Sequence, residues 1–180
     1  MYSLFKNAII CFCIIFCVTS CQIERNKNQI QLIYELEKVT ISDKGKLQSL
    51  DIKKLESYTK IAKFNLLQLE NKKLDSINIQ LMYFEYIEYL QAVNQIVLTV
   101  EKIEALQQAL ALNEKQVNNI KKDYLGSSKR RVDLDQYLEN EKNIIDATSK
   151  EVTKIYKIAV NLNEQFDTLN KNIELIINEN

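Results

Sequence analysis

Four cysteines, several closely spaced carboxylates and no histidine are the material from which this 180-residue chain could build chemistry. General acid-base work at neutral pH draws mostly on histidine. The carboxylate pairs Asp133 with Asp135 and Glu139 with Glu141 stand at helix-start or surface spacing, and no second cluster accompanies them to form a pocket. No glycine-rich phosphate loop, serine-centred nucleophile motif or zinc spacing is present. The expectation is a non-enzyme with no cofactor, no metal and no small-molecule substrate.

The cysteines belong to the N-terminal end. Lys6 precedes an apolar run of eleven residues, Ala8 to Val18, containing Cys11, Cys13 and Cys17, and small residues lead to Cys21. A basic start, a short apolar core and a small-residue site read as an export leader, since a membrane-spanning helix needs about 20 apolar residues. Val18-Thr19-Ser20-Cys21 resembles the lipobox of bacterial lipoproteins. That resemblance implies cleavage before Cys21, a diacylglyceryl group on its sulfur and usually an acyl group on the new amine. Two chains anchor a protein stably. Residues 1–20 are then the leader, 21–28 the lipidated cysteine and a polar tether reaching roughly 25 Å, and 29–180 a single helical domain. The mature chain keeps no free thiol. Loss of Lys6 leaves 23 basic against 24 acidic side chains, a balance that offers no field for nucleic acid.

Proline, tryptophan and histidine are absent, and glycine occurs twice. A chain with so few breakers forms long helices. The first is expected from Asn28 to Val39, with Leu32, Leu36 and Val39 on one face, stopping at Ser42-Asp43-Lys44-Gly45. The second runs from about Lys46 to Asn71 on Ile52, Leu55, Thr59, Ala62, Leu66 and Leu69, followed by a break over 71–76.

The third helix carries Ile79, Met82, Tyr86, Tyr89, Val93, Ile96, Val100 and Ile103 at three-four spacing, widened by Tyr83, Leu90 and Val97. Beyond Ile103 its seam reads through Gln107, Leu110, Glu114, Val117, Lys121 and Tyr124, as a narrower two-helix contact. Gly126 is placed for a left-handed C-cap, and Asp133 with Gln136 for a capping box, so the chain turns at 126–131. The last helix has the most regular repeat. Leu138, Ile145, Val152, Ala159, Phe166 and Ile173 recur every seven residues beside Leu134, Glu141, Thr148, Ile155, Leu162, Leu169 and Ile176. The expected fold is all-α, an elongated helical hairpin or antiparallel coiled-coil-like bundle of three to four helices. Each long arm extends about 70 Å, and the first two helices thicken one end.

Three features are candidates for binding. Lys121, Lys122, Lys129, Arg130 and Arg131 gather at the turn. Tyr83, Tyr86 and Tyr89 crowd one stretch with Phe84, although the last two tyrosines also suit a core. Gln107, Glu114, Lys121, Glu141 and Thr148 interrupt the long seams, as a register device or a site for another helix.

A lipobox followed by a helical chain rich in lysine, asparagine and isoleucine resembles the lipoproteins of Borrelia spirochaetes, and within them the BlyB family of hemolysin, or holin, accessory proteins. The resemblance implies a lipid-anchored envelope protein that assists a small holin-like membrane protein. Its partners would be a membrane, through the lipid anchor, and that holin-like protein, with no nucleic acid; a second copy of the chain is an alternative partner that the resemblance does not itself imply. A surface lipoprotein binding host protein and a periplasmic spacer are the alternative expectations.

Overall fold

The computed structural model describes residues 27–71, 76–126 and 131–178. These residues are helical throughout, apart from one short connection, and contain no strand. The helices are α1 over 27–48, α2 Ile52–Asn71, α3 Ser76–Gly126 and α4 Arg131–Asn178. The leader, Cys21, most of the tether, residues 72–75 of the expected break and residues 127–130 of the expected turn lie outside the described residues, as do the side chains of Ile79, Met82 and Arg131, while Asn71 and Ser76 at the ends of the expected break are helical.

Both glycine expectations are corrected. α1 runs straight through Ser42–Gly45, where the sequence suggested a turn. Gly45 is helical, and no atom lies within 4 Å of where its Cβ would be. A helical glycine costs about 1 kcal/mol relative to alanine, less than the roughly 1.5–3 kcal/mol gained by burying one leucine; α1 buries Leu47 by continuing. Asp43 is carried inside with it, held by Lys46 Nζ at 2.9 Å. The chain instead turns at Ser49–Asp51, and Asp51 Oδ1 accepts a hydrogen bond from the Lys54 amide at 3.0 Å, an N-cap for α2. Gly126 closes α3 in helical conformation, with no positive φ among the described residues. α4 starts at Arg131, so Asp133 sits in its first turn and favours the helix dipole there; it does not open the helix as a cap.

The helices cluster into two compact units. The first comprises, among the described residues, 27–40 of α1, 112–126 of α3 and 131–146 of α4. Ile33 and Leu36 bury against Val117, Ile120, Tyr124, Leu134, Leu138 and Ile145. This part of α3 and α4 was expected to form a two-helix seam; α1 supplies a third helix because its apolar stripe finds its cover here. Three-helix contacts also form between polar groups. Asp135 Oδ1 accepts from the Tyr124 hydroxyl at 2.6 Å and from Gln29 Nε2 at 3.2 Å. Lys121 Nζ meets Glu37 at 2.8 Å and lies 4.3 Å from the centre of the Tyr34 ring.

The second unit comprises 41–71, 76–111 and 147–178 among the described residues. Its core joins Leu55, Tyr58, Ala62 and Leu69 of α2 to Tyr89, Ile96 and Ile103 of α3 and to Val152, Ala159, Phe166 and Ile173 of α4. α2 thus packs here while α1, up to Thr40, packs in the other unit, which corrects the expectation that both thicken one end.

The α4 heptad is buried at every position from Leu138 to Ile173. In α3 the expected Tyr89, Val93, Ile96, Ile103, Leu110, Val117 and Tyr124 are buried, but the companion series past Ile103 is shifted by one residue. Ile103, Leu106, Leu110, Asn113, Val117, Ile120 and Tyr124 face inward, whereas Gln107 is exposed and Glu114 and Lys121 are only half-buried. Val97 and Tyr83 are exposed as well, and Ala92 and Thr99 take the buried places beside the seam.

Candidate interaction groove

The tyrosine cluster separates into three environments. Tyr83 is exposed and packs edge-on to Phe84 at 6.0 Å. Tyr86 packs against the core from a half-buried position. Tyr89 is wholly buried, so it is unavailable to an outside partner. Its ring stacks 5.6 Å from Phe166, which stacks 4.1 Å from Tyr58. Its hydroxyl donates to Asn170 Oδ1 at 2.7 Å, and Asn65 Nδ2 donates to the same oxygen at 2.9 Å. Asn170 Nδ2 in turn donates to Glu174 at 2.8 Å. One amide oxygen thereby ties α2, α3 and α4 at a fixed level of the second unit. Burial raises the Tyr89 phenol above its usual range, while the contact from Asn65 opposes the rise. Neither Asn65 nor Asn170 stands out in the sequence, where each is one polar residue beside an apolar stripe.

The basic cluster is only partly described. Lys129 and Arg130 lie outside the described residues, as does the Arg131 side chain. Lys121 is engaged with Glu37, whose hydrogen bond raises the pKa of the ammonium, and Lys122 is exposed. Of the polar interruptions, Glu141 lies truly inside, at 5% exposure, and burial raises its carboxyl above the ordinary value. In the same unit Asn113 Nδ2 is buried without an acceptor among the described residues. No group of three metal-ligating side chains gathers, and no helix is long and apolar enough to cross a membrane, among the described residues.

The second unit holds a groove that the sequence pattern did not reveal. It runs between α3 and α4 as two hollows of about 520 and 510 Å³ that share Gln95. Along α3 it extends from Glu88 to Ala105 and along α4 from Glu151 to Leu169, roughly 26 Å at 1.5 Å per residue. Leu98, Ile155 and Ile158 give the first hollow an apolar floor, whereas the second is lined mostly by polar side chains, Glu88, Gln91, Gln95, Glu164, Gln165 and Thr168. Leu98 is 65% exposed within the first. On α4, Asn163, Phe166 and Asn170 contact α2 or its ring stack; at 3.6 residues per turn the groove residues sit roughly 130° around the helix from them. The groove therefore lies on the flank of the α3–α4 pair that α2 leaves uncovered.

Comparison with family models, curated proteins and solved structures returned no match.

Proposed function

We propose that this chain is a non-enzymatic, lipid-anchored helical protein of the bacterial cell envelope that assists a small, holin-like membrane protein by holding one of its helices in the α3–α4 groove. The groove carries the reading. Helices α2, α3 and α4 and the end of α1 enclose the core of the second unit, and the open flank has the length of about five helical turns, with an apolar floor around Leu98 and Ile158 and charged rims. Such a surface suits an amphipathic helix laid lengthwise, its apolar anchors at three-four spacing. The resemblance to the BlyB family of Borrelia lipoproteins supports the class of partner, and Val18 to Cys21 supports the anchor.

The test is recovery of the chain from its native membrane in mild detergent after crosslinking, beside Leu98→Asp. Leu98 is mostly exposed, so the variant should fold as the parent does while placing a charge in the groove floor. A small membrane protein that crosslinks to the parent and is lost from Leu98→Asp supports the proposal. Equal recovery with both chains, or no such partner with either, overturns it. Cys21→Ala should remove the lipid attachment without unfolding the helices.

A further inference from the structure

Helix α2 presents a face to solvent that its packing does not explain. Its buried side is Leu55, Tyr58, Ala62, Asn65 and Leu69. On the opposite side stand Ile61, Phe64 and Leu67, exposed by 40%, 60% and 59%. At 100° per residue, Ile61 and Leu67 fall about 60° either side of Phe64, while the buried residues centre roughly 140° away. Lys53 and Lys60 are exposed and fall within about 40° of Phe64 on the same face.

The charge is as uneven as the hydropathy. α2 carries Lys53, Lys54, Lys60 and Lys63 against Glu56 and Glu70, a net +2, whereas α3 carries four basic and six acidic side chains and α4 six and nine. In a chain of zero formal net charge, α2 thus carries a net positive charge beside its exposed Phe64 and Leu67. Apolar side chains interleaved with lysines on one outward helical face match the boundary of an anionic bilayer. The rings and branched chains enter the headgroup layer, and the lysine stems lie along it with their ammoniums reaching phosphate.

We infer that α2 is a second membrane contact, which lays its Phe64 face on the surface of a bilayer containing anionic phospholipid. The inference is independent of the groove and of its occupant, because the two surfaces lie on different sides of the second unit. It is also independent of Cys21: a lipid anchor would hold the chain near a membrane, and the α2 face would set which side of the unit meets it.

The absence of tryptophan supplies the experiment. The full chain with Phe64→Trp carries a single indole, and so does a second chain with Leu98→Trp in the groove. Each is mixed with vesicles of phosphatidylcholine alone and of phosphatidylcholine with phosphatidylglycerol, with brominated acyl chains as quencher. The expected result is a blue-shifted, quenched emission for Phe64→Trp on the anionic vesicles only, and none for Leu98→Trp. Adding Lys53→Gln and Lys60→Gln should weaken the vesicle concentration dependence of that shift by about 25-fold, roughly fivefold per lysine. This readout is local, so a chain that stays bound through another segment does not mimic it. Unshifted Phe64→Trp emission on anionic vesicles overturns the inference and moves the face to a protein partner. An equal shift on neutral vesicles, or one indifferent to the two lysines, overturns it also.

Discussion

Replacing Glu141 by leucine should stabilise the chain at neutral pH. Glu141 occupies a seam position between Leu134 and Thr148 in the α4 repeat, is 5% exposed, and receives no ion pair among the described residues. Burial alone shifts its carboxyl, upward from 4.5. The folded chain therefore binds this proton more tightly than the unfolded chain does. The resulting stability is fully present below the ordinary glutamate range and is lost as pH rises through the raised folded value. At pH 7 the parent has either to bury a carboxylate or to keep it protonated against the solvent, and leucine removes both burdens while adding apolar burial. The expected gain is about 1–3 kcal/mol near pH 7, shrinking toward the packing contribution alone near pH 4, where the parent's carboxyl is largely protonated. Glu141→Gln isolates the charge, with a smaller gain at pH 7 and almost none at about pH 4. Urea unfolding followed by circular dichroism at both pH values measures all three chains. A Glu141→Leu chain less stable than the parent at pH 7, or a margin that does not change with pH, would refute the reasoning.

Ile145→Asp places a charge at a seam position that is 1% exposed; the first unit should lose its helical circular dichroism at a urea concentration well below the parent's, a loss of about 3–5 kcal/mol. Gly45→Ala meets no atom within 4 Å and should raise the unfolding midpoint by an amount equivalent to about 0.5–1 kcal/mol. Asn170→Ala deprives Tyr89 and Asn65 of their shared acceptor and should destabilise by about 2–4 kcal/mol in the same assay, with Tyr89→Phe milder.

The helical class was legible because breakers are nearly absent, and the α4 seam because one residue in seven repeats without interruption from Leu138 to Ile173. Register in α3 was less legible. Past Ile103, the series Ile103-Leu110-Val117-Tyr124 has two candidate companions, Gln107-Glu114-Lys121 and Leu106-Asn113-Ile120; the second, with two apolar residues, is the one buried, while Lys121 meets Glu37. Pairing of α1 with the turn-proximal parts of α3 and α4 is a long-range choice that no local pattern encodes. Ser42–Gly45 has the composition of a turn, yet burial of Leu47 outweighs the preference of one glycine. The true connection at Ser49–Asp51 carries its signal in Asp51, a good N-cap three residues before the amide it binds. The groove was invisible for a different reason: it is defined by what does not cover α3 and α4, and a sequence does not announce a missing neighbour.

The stack of Tyr58, Phe166 and Tyr89 has a spectroscopic consequence. Each ring comes from a different helix, and with no indole in the chain the near-ultraviolet circular dichroism arises from tyrosine and phenylalanine alone. Rings held at 4.1 and 5.6 Å in fixed orientation give a chiral band that freely turning surface tyrosines do not. If α2 swings away while α3 and α4 stay packed, the Tyr58 part of that band is lost and the far-ultraviolet signal hardly changes. The chain thereby contains its own optical gauge of α2 docking, readable without any label.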